Sequence, residues 1–309
     1  MATLIAPTHH SPQQDAEALR KAVKGWGTDE EAVIAILGRR NVSQRQQIRK
    51  AYEELYSEDL IKRLESELSG HFEKAMYRWI LEPEERYCLL ANVAMKNCNK
   101  DFHVIVEIGC VLQPHELLAV RRAYHNRYKH SLGEHVASHT NGYFGQLLVG
   151  LVSSYRYGGD EINERLAKTE ADILHEFVKE KKGNREEVIR ILTTRSKTQL
   201  VATFNRYREE HGTSISKNEA SDEFHKAVNV AIRCIYDHKK YYEKLLRNAM
   251  KRIGSDEDGI TRVFVTRAEK DLKHIKDLYY KKNSVHLEDA ISKEISGDYK
   301  RLLLTLLGK

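Results

Sequence analysis

A fourfold internal repeat constrains this chain of 309 residues more than any other feature. The segments ILGRRNVSQRQQIRKAY, IGCVLQPHELLAVRRAY, ILTTRSKTQLVATFNRY and VFVTRAEKDLKHIKDLY end in Tyr52, Tyr124, Tyr207 and Tyr279, at spacings of 72, 83 and 72 residues. Arginine stands twelve positions before the tyrosine in three copies (Arg40, Arg195 and Arg267), and Leu112 takes that place in the second. Gly70, Gly142 and Gly297 follow 18 residues after the tyrosine in three copies, whereas the third has Asp222 only 15 residues on and so is about three residues short. Four units of roughly 70 residues follow. The periodicity divides the chain into a tail, 1–13, and four repeats, 14–82, 85–157, 168–239 and 242–309.

Within the first repeat the local signals are helical throughout. Ala18, Leu19, Ala22 and Val23 form a stripe that stops at Gly25, where a glycine after a helix is expected. Thr28 with Glu31 has the form of a capping box opening a second helix through Val33, Ile34 and Leu37, and Ser43 with Gln46 repeats the device before Ile48 and Tyr52. Leu60, Ile61, Leu64 and Leu68 mark a fourth helix, and Phe72, Met76 and Ile80 a fifth. Five short helices per repeat, about twenty in all, leave little room for strands.

Composition narrows the class further. With 51 basic and 45 acidic side chains the formal charge is +6, and no block of five or six Lys/Arg occurs; Lys179-Glu180-Lys181-Lys182 comes nearest. That is weak attraction toward anionic surfaces rather than a nucleic-acid footprint, so no nucleic-acid partner is expected. No stretch approaches the roughly 18 apolar residues of a membrane span, and the N-terminus lacks the basic and apolar regions of a secretion signal. The cysteines, Cys88, Cys98, Cys110 and Cys234, fit neither a zinc motif nor a disulfide scaffold, which predicts a reducing compartment, most simply the cytosol.

The chemistry lies in the segments that join the first two helices of the first and last repeats. These are Val23-Lys24-Gly25-Trp26-Gly27-Thr28-Asp29 and Met250-Lys251-Arg252-Ile253-Gly254-Ser255-Asp256. A glycine-containing turn lets backbone carbonyls face outward as a half-shell of hard oxygens. A calcium ion takes six to eight oxygens and needs a carboxylate against its charge. Glu67 stands forty residues beyond Gly27, and Glu294 forty beyond Gly254.

Together these features resemble the annexins, and the plant annexins in particular, over essentially the whole chain after its tail. The resemblance implies an all-α fold: four annexin-type repeats of about five short helices each, packed as a slightly curved disc. It also implies that the carbonyls of Val23, Gly25 and Gly27 hold one calcium ion with a bidentate Glu67, and that Met250, Arg252, Gly254 and Glu294 hold another. Arg252 stands where the family has glycine, and a non-glycine residue with positive φ there would be strained by about 1–3 kcal/mol, so the fourth site is expected to bind more weakly. In the second repeat the carboxylate position is His139; in the third the spacing is disturbed, with Glu219 the nearest acid, so both sites are expected to be lost.

One carboxylate and three carbonyls cannot saturate the ion. Affinity without lipid is therefore expected on the order of 10⁻⁴ to 10⁻³ M. Headgroup oxygens of acidic phospholipid would complete the shell, giving calcium-dependent, reversible membrane attachment of a cytoplasmic protein, with oligomerisation on the membrane left open. Trp26, between the loop glycines, is expected at headgroup depth. Lys96 and Lys182 in the degenerate loops would each add about 1 kcal/mol of attraction to an anionic bilayer.

Other family properties have less support in the residues. The resemblance suggests F-actin binding through Ile189-Arg190-Ile191, a redox role for Cys110 and Cys234, and a peroxidase activity whose histidine is replaced here by Gly38-Arg39-Arg40. No phosphate loop and no HExxH occurs, and no enzymatic activity is expected.

Overall fold

Why the repeats fold as they do is visible at their helix starts. In this computed structural model, which describes residues 1–24, 27–96, 101–153, 155–180, 183–217, 220, 222–251 and 254–309, α1 (Pro12–Ala22) begins after Ser11, whose hydroxyl accepts from the Gln14 amide. Helix α2 (Glu30–Leu37) is capped by Asp29 rather than Thr28: the Asp29 carboxylate accepts from the Ala32 amide at 2.9 Å. The Thr28 hydroxyl is instead committed to Glu67, at 3.2 Å. Helix α3 (Val42–Tyr56) is capped two residues before the expected Ser43, because Asn41 and Gln44 form a reciprocal capping box at 3.0 and 3.1 Å. Helices α4 (Leu60–Glu67) and α5 (Gly70–Ile80) complete the repeat.

The second repeat repeats the five: α6 (Pro83–Lys96), α7 (Phe102–Val111), α8 (Pro114–Tyr128), α9 (Leu132–His139) and α10 (Gly142–Ser153). The third has α11 (Glu164–Glu180), α12 (Arg185–Thr194) and α13 (Lys197–His211), then only a 3-10 turn, Ile215–Lys217, where its missing residues leave no room for a fourth α-helix. Helix α14 (Glu223–Lys251) carries the end of the third repeat into the fourth and is broken at Asp237, whose φ −159° and ψ 85° are not helical. Helices α15 (Glu257–Arg267), α16 (Leu272–Asn283), α17 (Leu287–Glu294) and α18 (Gly297–Leu306) follow, and no strand occurs among the described residues.

The sequence landmarks are core groups. Tyr52, Tyr124, Tyr207 and Tyr279 are all buried. The repeat arginine finds a carboxylate 25 residues earlier: Arg40 grips Asp15 through two bonds of 2.8 Å, and Arg195 bonds Glu170 at 2.8 Å. In the fourth repeat that earlier position is Tyr242, so Arg267 lies 5.4 Å from its ring centroid and turns to Asp271 instead, at 2.7 Å. In the second repeat the pair carries no charge, with Leu112 and Tyr87 both buried.

Packing divides the chain into two compact units, one of Met1–Arg86 with Tyr242–Lys309 and one of Tyr87–Tyr241. The first unit joins the first and last repeats. Its α18 packs on α2 and α5, and α15 on α5. The tail belongs to this unit, with the Thr3 amide donating to Ala268 O at 3.0 Å and its hydroxyl to Leu306 O. Buried Arg45 bonds Glu269 at 2.9 Å while its guanidinium lies 3.8 Å from the centroid of Trp79. In the second unit α10 packs on α7, α9 and α12, and Lys197 Nζ donates to the carbonyls of Val111 and Leu112.

Candidate metal centres

Two helix ends meet at the first-repeat site. Helix α1 stops at Ala22 and α4 at Glu67; the last carbonyls of a helix have no intrahelical partner, and the helix C-terminus carries partial negative charge. The meeting of two such ends attracts a cation before any side chain is considered. The loop between α1 and α2 is closed by the Asp29 amide donating to Ala22 O at 2.9 Å, and Gly27 takes φ +89°, a conformation that disfavours any side chain. Among the described residues, apart from its chain neighbours, no atom lies within 4 Å of where a Cβ on Gly27 would stand.

Glu67 faces this loop from across the repeat. Its Oε2 accepts from Thr28 and its Oε1 pairs with Arg63 Nη2 at 3.0 Å, while the same Nη2 donates to Val23 O at 2.6 Å. A carboxylate and a helix-end carbonyl thus converge on one positive group. Among the described residues no cluster of three or more His, Cys, Asp and Glu side chains is placed to hold a metal, so an ion here must draw on backbone oxygens. That donor set, hard oxygens with one carboxylate, fits calcium. Gly25 and Trp26 lie outside the described residues.

The described part of the fourth-repeat loop repeats two of these features. The Asp256 amide donates to Ala249 O at 3.0 Å, Gly254 takes φ +82°, and Glu294 is the last residue of α17. Met250 is buried at the end of the preceding helix; Arg252 lies outside the described residues. The side chains differ. Ser255 donates to Glu257 at 2.6 Å, and among the described residues the Glu294 carboxylate has a distant pair, 4.0 Å, with exposed Lys293. Glu294 instead lines a cleft with Glu257, Asp298 and His71.

In the second repeat His139 occupies the corresponding helix end, and its ring stacks edge-on against His135, with centroids 4.6 Å apart; His130 lies 4.9 Å from His135 on the other side. Burial, then the neighbouring His139, His130 and Lys96, hold His135 below the ordinary histidine range. Because the unfolded chain takes up a proton there first, near pH 6.5, stability is full above that value and falls as the pH drops toward the folded value. Ring-proton NMR should show His135 titrating lower in the native protein than in the unfolded chain. Lys96 is exposed at the end of α6, whereas Lys182 and Glu219 lie outside the described residues. In the third repeat Asp222 is tied to Arg185 and His225, both at 2.7 Å; burial would raise this carboxyl, but the His225 amide and ring and the Arg185 guanidinium bring it down to about 2.

The remaining sequence candidates lie inside. Cys110 and Cys234 are buried, 0 and 1% exposed, and burial pushes the Cys110 thiol up to about 11. A thiol closed off from solvent reacts slowly, so peptide mapping after iodoacetamide should find both unlabelled in the native protein and labelled in guanidinium chloride. In the tripeptide 189–191, Ile191 is buried and Arg190 pairs with Glu187 at 2.7 Å. Two features had no sequence signal strong enough to single them out. One is Arg63; the other is Arg86, whose guanidinium reaches four backbone carbonyls.

The comparison with known proteins follows the same four segments. A model of the family described as Annexin matches residues 14–79, 89–151, 169–228 and 241–306. The chain belongs to the annexin family. It is 62% identical to the annexin-like protein RJ4 of Fragaria ananassa, across 100% of this chain and 99% of that protein. Among solved structures it superposes on annexin III with a TM-score of 0.94 at 32% identity, covering 100% of this chain and 97% of that one. It matches calcium-bound annexin (Sm)1 with a TM-score of 0.85 at 28% identity, covering 100% and 93%. The annexin fold with these loops is consistent with calcium-dependent phospholipid binding. No helix among the described residues is long and apolar enough to cross a membrane.

Proposed function

We propose that this annexin attaches reversibly to acidic phospholipid membranes when calcium rises, through the loops of its first and fourth repeats. The observation that carries the reading is the convergence of Glu67 Oε1 and the Val23 carbonyl on one cationic group at the foot of the Gly27 turn. When bound, calcium supplies positive charge with coordination positions left open for headgroup oxygens. The residues do the rest: α1 and α4 aim two helix ends at one point, Thr28 holds the Glu67 carboxylate toward the loop, and Gly27 puts no side chain in the way of a headgroup. The calcium-bound structure of annexin (Sm)1 supports calcium as the ion.

Lipid and ion share one site, so each strengthens binding of the other. Co-sedimentation with phosphatidylserine-containing vesicles should therefore need calcium and reverse on chelation; pelleting that is equal in chelator would refute the reading. The second and third repeats, with His139 and the Arg185–Asp222–His225 cluster at these places, are held not to bind calcium. The chain acts as a binding protein, and the purified protein is expected to turn over neither peroxide nor nucleotide.

A further inference from the structure

We propose that Arg63 is a resident cation of the first-repeat site, which calcium must displace, and that it is the residue that sets the calcium affinity of that site. The inference rests on the calcium reading of the Glu67 loop given above. Arg63 Nη2 lies 2.6 Å from Val23 O and 3.0 Å from Glu67 Oε1, the two oxygens that would turn toward the ion. Calcium–oxygen distances are about 2.3–2.6 Å, so a calcium ion and this guanidinium cannot use the same lone pairs together. Arg63 holds this position although its own Nε is buried without a hydrogen-bond partner. The head group is therefore placed for the Nη2 contacts and not by a wider network.

The other repeats show that this is a property of one site. Four residues before Glu294 stands Ala290, with no charge to offer, and among the described residues the Glu294 carboxylate has the 4.0 Å contact to Lys293, whose side chain is 82% exposed. Four residues before His139 stands His135. Only the first repeat, among the described residues, sets an arginine one helical turn before its carboxylate and beside the loop carbonyl. The side chains of Arg63 and Glu67 are 27% and 20% exposed, which keeps the pair partly shielded from water yet free to separate.

A site whose binding-competent form must first release an internal ion shows an affinity reduced by the fraction that is already open. Removing the guanidinium also removes its repulsion of the incoming ion, and both effects have one sign. In an E294Q background, where the first-repeat loop is tested alone, Arg63→Gln should lower the calcium needed for half-maximal pelleting with phosphatidylserine vesicles by about three- to tenfold. Displacement also has a readout that needs no substitution at Arg63. With calcium alone and no lipid, modification of Arg63 by phenylglyoxal, followed by mass spectrometry, should run several-fold faster than in chelator.

Equal or higher half-maximal calcium in Arg63→Gln overturns the inference, as does calcium-independent modification of Arg63. Glu67→Gln in the same background separates the two levels. If it weakens binding while Arg63→Gln has no effect, only the role of Arg63 falls; if it also changes nothing, the first-repeat calcium reading falls and takes Arg63 with it.

Discussion

Glu67→Gln is expected to raise the calcium concentration for half-maximal binding to phosphatidylserine vesicles by about tenfold or more, a loss of at least about 1.4 kcal/mol, since affinity at such sites follows the number of ligand charges. Glutamine keeps the shape of the side chain and can still accept from Thr28. What it removes is the negative charge at the meeting of the α1 and α4 ends. Folding should hardly change: the lost Arg63–Glu67 pair is partly exposed, and such pairs contribute less than about 1 kcal/mol. Unchanged circular dichroism and melting with weakened pelleting is thus the expected result, and the E67Q/E294Q double variant should lose calcium-dependent pelleting. Wild-type calcium dependence in E67Q would show that the ion sits elsewhere.

The largest stability effect is expected at Arg86. This side chain, 3% exposed, donates to the carbonyls of Arg78, Trp79 and Leu81 at the end of α5 and to Val265 O in α15. One positive group thereby satisfies the orphan carbonyls of one helix end, complements its dipole and ties the first repeat to the fourth. Arg86→Leu preserves much of the volume but leaves four buried acceptors unmade, at about 1–3 kcal/mol each before water and local relaxation recover part. A net loss of about 3–5 kcal/mol is expected, read as a lower urea midpoint with little change in slope. A loss below about 1 kcal/mol would mean that water replaces the guanidinium at no cost.

Much of the fold was legible because the repeat makes each signal appear several times. The tyrosines, the landmark glycines and the carboxylates at the ends of α4 and α17 all stand where spacing placed them. The helix starts were less legible, since Thr28 and Asp29, or Asn41 and Ser43, are equally good caps in isolation. Tertiary contact decided between them: Glu67, distant in sequence, occupies the Thr28 hydroxyl and leaves the cap to Asp29. Arg63 was illegible for the same reason. In sequence it is one more charge on an exposed helix face, and only packing of α4 beside the end of α1 turns it toward Val23 O.

The sequence by itself determined four helical repeats and two loops with a carboxylate forty residues away, because helical periodicity, turn glycines and ligand spacing are local properties that survive in a string of letters. Tertiary structure alone decided that the first and fourth repeats share one compact unit, fastened by Arg86 and by the Arg45–Glu269 pair. Spacing cannot show which copies of a repeat become neighbours, since every copy offers a similar apolar face. The choice falls to long-range contacts whose partners stand about 180 and 220 residues apart in the chain.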